Sequence, residues 1–476
     1  MALTTDVNWY IRSTATGTNS GGFDPVIGAS GTNRADADTS HVNGTNLTVD
    51  GADNTLVVPD GHTPVAADVG NVVVVTAGAG FTLAYYTIIG QDGTNWDLDR
   101  SPAATSTSGG TWSMGGAFAD GQPLKLDNTA PTITSPLAAG HTINVRGAGT
   151  DDPSGVDYQA SNGWVQPASG TNDLPITMIG YNGRPHWKSG NGLLWYNNDF
   201  WYFENLKITA GGTSNGNVGV INTGAEFHNM RFDQNGQDCA AFGRVVRATD
   251  CYFGNSGVTT AGTAGSTTMV YGPTGYNVLF EGCVYEDQRT TCISAPTDSM
   301  LSIRNNIFIN CRNTTATISI SETTIFRNRV VGNTFDGCQG SSIRTTSAFL
   351  STQIFNNLFT RQAKYAVDVA SATLDDRNLI DYNGFGAGTM GQTSGQYSGY
   401  AGGNNDVTLG SNVDPFVDKA SGDYALDDTN GSALKAAGFP GAFRGIATTS
   451  YVDIGAAQRL EAGGGATRLI NGGLIS

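Results

Sequence analysis

A six-residue block recurs through the middle of the chain: an apolar residue, two or three polar ones, then an aromatic or aliphatic one. It appears as Phe203-Glu204-Asn205-Leu206-Lys207-Ile208, Phe227-His228-Asn229-Met230-Arg231-Phe232 and Phe280-Glu281-Gly282-Cys283-Val284-Tyr285. Further copies are Ile303-Arg304-Asn305-Asn306-Ile307-Phe308, Ile354-Phe355-Asn356-Asn357-Leu358-Phe359 and Ile380-Asp381-Tyr382-Asn383-Gly384-Phe385. With Phe253 and Phe335 included, the closing positions fall at 208, 232, 253, 285, 308, 335, 359 and 385, about 25 residues apart on average. Short strands separated by turns at this period fit one coil of a solenoid. The segments between copies lack the 3.6-residue periodicity that a helical repeat needs. The predicted fold class is therefore all-β, a right-handed, single-stranded parallel β-helix.

Other columns keep the same register. Asn306, Asn333, Asn357 and Asn383 lie two residues before the closing position, and Asn205, Asn229, Asn305 and Asn356 lie three before it. Stacked Asn side chains can hydrogen-bond along the axis, and Asn tolerates the left-handed backbone of a sharp corner. Cys251 and Cys283 share one phase, Cys311 and Cys338 a second, Cys239 and Cys292 a third. Six cysteines in 476 residues do not make a disulfide scaffold, and no C-x-x-C or Cys/His cluster suggests a metal. They are expected to be small apolar residues of the core, with neither metal nor cofactor. Stacked rungs are close enough for a disulfide, but synthesis in a reducing cytoplasm argues against one.

The chain is rich in turn formers, with 65 Gly, and carries a net charge of −16 from 25 basic and 41 acidic side chains. Such a surface repels phosphate backbones, so a nucleic-acid partner is not expected. No stretch of about 18 apolar residues is present, so no membrane span is expected. The opening Met1-Ala2-Leu3-Thr4-Thr5-Asp6 has neither a basic start nor an apolar run, so no secretory signal is expected.

Five segments are expected. Residues 1–41, with Trp9-Tyr10-Ile11-Arg12, form an N-terminal capping segment. Residues 42–119 break the period and form a small inserted β domain, in which Val72-Val73-Val74-Val75 is a buried strand and Asp92-Gly93 a hairpin turn. Residues 120–390 form the β-helix, 391–458 a C-terminal cap, and 459–476 a flexible arm after Gly463-Gly464-Gly465. The arm's Leu469, Ile470, Leu474 and Ile475 are expected to dock on a neighbouring subunit or shell.

Trp9-Tyr10-Ile11-Arg12, Thr142-Ile143-Asn144-Val145-Arg146 and the strand from Ile176 to Tyr181 followed by Arg184-Pro185 resemble the right-handed parallel β-helix superfamily. So do Asp414-Pro415-Phe416-Val417-Asp418, Gly422-Asp423-Tyr424 and Asp453-Ile454-Gly455. The superfamily includes pectate lyases, polygalacturonases, phage tailspikes and phage head-decoration proteins. The Gly/Asn-rich start, the inserted domain and the lack of a signal make the chain most similar to tailed-phage virion proteins. That resemblance implies a structural virion protein, a capsid decoration or cement protein or a spike, built as a homotrimer with other virion proteins as partners. The alternative it leaves is a polysaccharide lyase or hydrolase of the tailspike kind. A weaker one is an adhesin that binds a host surface glycan.

Each enzymatic alternative implies its own set of side chains. Gln237-Asp238-Cys239-Ala240 resembles the Asp-Asp-Cys stretch of polygalacturonases, but its first Asp is replaced by Gln, and no Gly-His-Gly or Arg-Ile-Lys triplet follows. Asp233, Glu286 and Asp336 each sit one residue after the closing position, while Gly254, Ile309 and Thr360 interrupt that column. A solvated polar corner is expected there, with a carboxylate site as the alternative. Glu286-Asp287-Gln288-Arg289 is expected to be an exposed loop. The catalytic set for the enzymatic alternative is thus Asp233, Asp238, Glu286 and Asp287, acting as paired acid and base. His41, His62, His141, His186 and His228 are dispersed and expected to be structural. Trp187, Trp195, Trp201 and Tyr202 are expected to pack in the core, with sugar stacking as the alternative.

Overall fold

A computed structural model describes residues 7–12, 19–23, 41–49, 51, 53–118, 137–147, 158–160, 168–189, 199–210, 224–234, 245–254, 277–288, 291–295, 300–320, 328–345, 348–349, 351–369, 373–374, 377–439 and 453–456. Among these the regular structure is β strand with a few short 3₁₀ turns. The chain divides into two compact units, Met1–Ile208 and Thr209–Ser476.

In the first unit, strand Asn8–Ile11 runs parallel to Thr142–Arg146, with Trp9 beside Ile143 and Ile11 beside Val145. Thr142–Arg146 pairs in turn with Ile176–Tyr181, and that strand with Trp201–Glu204. The opening residues are therefore the first rung of the ladder, and the 42–119 region is inserted between two paired rungs. Within it, Val42–Val49, Leu56–Val58, Val72–Ala77, Ala84–Asp92, Asn95–Leu98 and Gly110–Met114 close a six-stranded barrel. The Val72 strand and the hairpin turn at Asp92-Gly93 fall where the sequence places them, with Gly93 at φ +60° as a tight hairpin requires.

Buried alternating side chains fill the barrel, and Trp96 and Trp112 meet edge to face at 5.1 Å. Each indole N–H needs an acceptor once buried. Trp96 donates to Asp68 at 2.8 Å and Trp112 to Asp60 at 2.9 Å. Asp68 also holds His62 at 2.8 Å.

The second unit is the regular coil. One parallel sheet stacks Ala225–His228, Val245–Thr249, Asn277–Glu281, Met300–Arg304, Arg329–Val331, Gln353–Phe355 and Leu379–Asp381. A second stacks Arg231–Gln234, Tyr252–Gly254, Val284–Glu286, Ile307–Ile309, Thr334–Asp336, Leu358–Thr360, Gly384–Ala387 and Val407–Ser411. A third stacks Ile293–Ala295, Ala316–Ile320, Ser341–Thr345, Val367–Asp368 and Tyr397–Ser398. The parallel ladder thus extends past residue 390, because Val407–Ser411 still pairs with Gly384–Ala387.

The closing residues of the repeat form one continuous stack. Phe232, Phe253, Tyr285, Phe308, Phe335, Phe359 and Phe385 are buried, with neighbouring rings 4.7 to 5.5 Å apart and nearly parallel. Strand spacing imposes that distance, since identical positions on successive rungs lie about 4.8 Å apart.

The two Asn columns divide the roles expected of them. The outer one carries the corner: Asn205, Asn229, Asn305 and Asn356 all have positive φ, from 49° to 57°. Gly282 and Gly332 take that conformation on other rungs. The inner one is a buried hydrogen-bond ladder. Asn306 Nδ2 donates to Asn333 Oδ1 at 3.0 Å, Asn333 to Asn357 at 2.9 Å, and Asn357 to Asn383 at 3.1 Å. On earlier rungs Cys251 and Cys283 occupy the same column, and the Cys283 N–H donates to Asn306 Oδ1 at 2.9 Å. The described cysteines are buried and not joined in disulfides, whereas Cys239 lies outside the described residues.

Candidate functional site

On a strand of the coil, alternate residues point outward, so the positions flanking each stacked ring face away from the core. On the second sheet the position before the ring holds Arg231, Tyr252, Val284, Ile307, Thr334 and Leu358. The position after it holds Asp233, Gly254, Glu286, Ile309, Asp336 and Thr360. The Glu286 and Asp336 column is therefore the outer face of a strand, not the corner that the sequence suggested. The strand runs one residue further, and the corner falls on Asp287, Asn310, Gly337 and Arg361, all with positive φ.

The face has two parts. Over the later rungs, Val284, Ile309 and Leu358 are covered by a C-terminal strap: the hairpin Phe416–Asp418 with Asp423–Leu426, then Leu434 and Ile454. Phe416 and Tyr424 meet edge to face at 4.9 Å under this cover. Asp336 is fully buried beneath it. Its carboxylate accepts from Thr360 Oγ1 at 2.8 Å and Arg361 Nε at 2.7 Å, and also from Arg361 Nη2. Tyr424 Oη lies 3.4 Å from the same group. Burial, then the Asp336 charge, push the Tyr424 phenol up. The bond to Asp336 holds the Arg361 guanidinium above its ordinary range. This is a structural ion pair whose carboxylate is enclosed and whose guanidinium is partly exposed.

Beside the strap, from the Arg231 rung to the Glu286 rung that Val284 shares, the outer face carries polar groups, with Tyr252 packed against the strap's apolar cluster. The Arg231 guanidinium lies 4.6 Å above the Tyr252 ring, and Tyr252 Oη donates to Glu286 Oε2 at 2.5 Å. All three side chains are half-buried. Gly254 makes the arrangement possible. A Cβ there would meet Tyr252 Cε1 at 2.3 Å and Oη at 2.5 Å, so the phenol lies across a residue with no side chain to reach the next rung. The result is a cation, a phenol and a carboxylate in one row, which offers N–H donors to an anion and an acid–base pair to a neighbouring group.

The other sequence candidates separate. Asp287 sits at the corner and pairs with Arg312 at 3.2 Å. Gln288 is buried, not looped out, because its Nε2 satisfies the Phe253 carbonyl at 2.9 Å. Asp233 lies on strand Arg231–Gln234 in the outward column, but its side chain is outside the described residues, as are Asp238, Arg289, Trp195 and the arm residues Leu469, Ile470, Leu474 and Ile475. Trp187 and Trp201 are buried, and Tyr202 bonds Glu204 at 3.1 Å. His141 accepts from the Trp9 indole at 3.1 Å. Among the described residues, no three His, Cys, Asp or Glu side chains converge to hold a metal ion. Sequence reasoning missed Arg231 and Tyr252. The available signal was Gly254, a small residue in a column otherwise holding larger ones, beside a polar aromatic.

No protein-family model and no curated protein matches the chain. Among solved structures, it is similar to the pectate lyase Pel9A at 14% identity, covering 68% of this chain and 89% of that one with a TM-score of 0.42. It is also similar to an alginate lyase from Paenibacillus sp. str. FPU-7 at 15% identity, covering 57% of this chain and 92% of that one with a TM-score of 0.33. The likeness is one of fold: a parallel β-helix.

Proposed function

We propose that this chain is a polysaccharide lyase that acts on an acidic glycan along the outer face of its second sheet. The observation that carries the reading is the Arg231–Tyr252–Glu286 row. A sugar acid has a carboxylate next to a weakly acidic C–H. Arg231 pairs with that carboxylate and withdraws its charge. Glu286 removes the proton, the electron pair forms a C=C bond, and the glycosidic oxygen on the next carbon leaves. Tyr252, bonded to Glu286, supplies the proton to that oxygen.

Hydrolysis fits less well. It needs two carboxylates open to substrate. Glu286 and Asp336 flank Ile309, two rungs or about 10 Å apart by strand spacing, and Asp336 is enclosed. The test is to incubate the chain with pectate, alginate and acidic bacterial polysaccharides and to follow the ultraviolet absorbance of unsaturated product. Glu286→Gln and Tyr252→Phe should each slow the reaction by about a hundredfold or more. Lack of product from every substrate, or equal rates in Glu286→Gln, contradicts the lyase reading.

A second reading is a homotrimeric structural protein of a phage virion. It is favoured by the apolar surface of the barrel, where Val58, Val65, Val69, Leu83 and Ile89 are exposed. Apolar groups gathered on one domain gain by being covered in an assembly. Sedimentation at three times the chain mass of 49.5 kDa, with no attack on any polysaccharide, would favour this second reading.

A further inference from the structure

The cysteines of the coil are not equivalent. Cys292 and Cys311 come from different phases of the repeat, yet their Sγ atoms lie 3.4 Å apart in the core. Both residues are fully buried. Cys311 is held at its corner by a bond from the Gln339 N–H to its carbonyl, 2.8 Å, and Cys292 by its own N–H to the Thr317 carbonyl, 2.8 Å. A disulfide needs its sulfurs about 2.05 Å apart, so closure asks for just over an ångström of movement, which rotation about the two Cα–Cβ bonds can supply. The other cysteine pairs on this axis repeat one position on successive rungs, Cys251 over Cys283 and Cys311 over Cys338. Their thiols also touch, Cys283 with Cys251 and Cys338 with Cys311, so these are the competing pairings.

We propose that Cys292 and Cys311 are a latent disulfide, formed during folding when a small-molecule disulfide such as glutathione disulfide is present. One cysteine thiolate attacks a glutathione sulfur, breaks that S–S bond and releases one glutathione thiolate. The second cysteine thiolate attacks the mixed disulfide at the protein sulfur and expels the other glutathione. Two protein thiols are oxidised, one glutathione disulfide is reduced to two thiols, and the protons pass from the former to the latter. Burial pushes the Cys311 thiol well above its ordinary value, so the folded coil reacts slowly, and the chance to close comes while the coil assembles. The bond ties two successive rungs in the middle of the second unit.

The test uses the full chain, refolded from urea with reduced or with oxidised glutathione. Thiols are then titrated in denaturant, and non-reduced peptides are mapped by mass. The oxidised sample should fall from six thiols to four, with a single Cys292–Cys311 peptide pair and a higher urea midpoint than the reduced sample. Cys292→Ala should keep its five thiols under the same treatment; if it folds poorly, Cys292→Ser serves the same purpose. Six thiols in a natively refolded oxidised sample would overturn the proposal. So would a bond between Cys311 and Cys338, between Cys251 and Cys283, or to Cys239.

Discussion

Replacing Asn333 by alanine isolates what the internal ladder contributes. Its Oδ1 accepts the Asn306 N–H at 2.9 Å and Asn306 Nδ2 at 3.0 Å. Its Nδ2 donates to the Ile303 carbonyl at 3.0 Å and to Asn357 Oδ1 at 2.9 Å. Asn333→Ala therefore strips two buried donors of an acceptor. Of these, Asn306 Nδ2 keeps a bond to the Phe280 carbonyl at 3.0 Å. Asn357 Oδ1 still receives the N–H of residue 333 at 3.0 Å. The Asn306 N–H is the donor left without that acceptor, and at about 1–3 kcal/mol for a buried group left unpaired the change should cost about 1–3 kcal/mol. Urea unfolding followed by far-ultraviolet circular dichroism measures the loss from the shift in midpoint at constant slope. A loss below about 1 kcal/mol would refute the reasoning, because it would mean that the ladder's bonds are replaced at little cost.

Phe308→Ala opens the middle of the aromatic stack and should cost about 3–5 kcal/mol by cavity formation, read by the same unfolding curve. Asp336→Ala removes the anchor shared by Arg361 and Tyr424, so limited proteolysis should cut the strap at residues 413–439 sooner while the coils stay intact. Burial opposes charge on Asp68, but the bonds from His62, the Val65 N–H and the Trp96 indole outweigh it and hold the carboxyl below its ordinary 3.8. Its stabilising contribution is thus present above that value and is lost as pH falls through the lowered one. Tryptophan fluorescence in acid should show the barrel loosening in that window in the parent chain, and Asp68→Asn should lack that transition.

The coil was legible because its constraint is periodic. Every rung presents the same positions to the core, so Phe232, Tyr285, Phe308, Phe335 and Phe359 could be aligned from spacing alone. The Asn columns were legible for the same reason, although only the structure separates the corner from the ladder. What spacing does not encode is the covering of the outer face. The contacts of Tyr424 with Asp336 link residues 88 apart in sequence, and nothing periodic marks them. The closed barrel was likewise visible only as a strand and a hairpin, because its order mixes distant strands such as Val42–Val49 with Gly110–Met114. Glu286 was identified from its column, but its partners were not. Tyr252 reaches it by lying over Gly254, a close approach that only coordinates show.

The central claim is that Arg231, Tyr252 and Glu286 engage an acidic glycan, and equilibrium binding of a defined polyuronate oligosaccharide tests it most directly. Calorimetric titration separates holding the substrate from reacting with it. Glu286→Gln should bind the oligosaccharide about as tightly as the parent chain while leaving it uncleaved, and Arg231→Ala should bind at least about tenfold more weakly through loss of a charge-assisted contact. Identical titrations for the parent chain and Arg231→Ala, or no binding by either, would contradict the account.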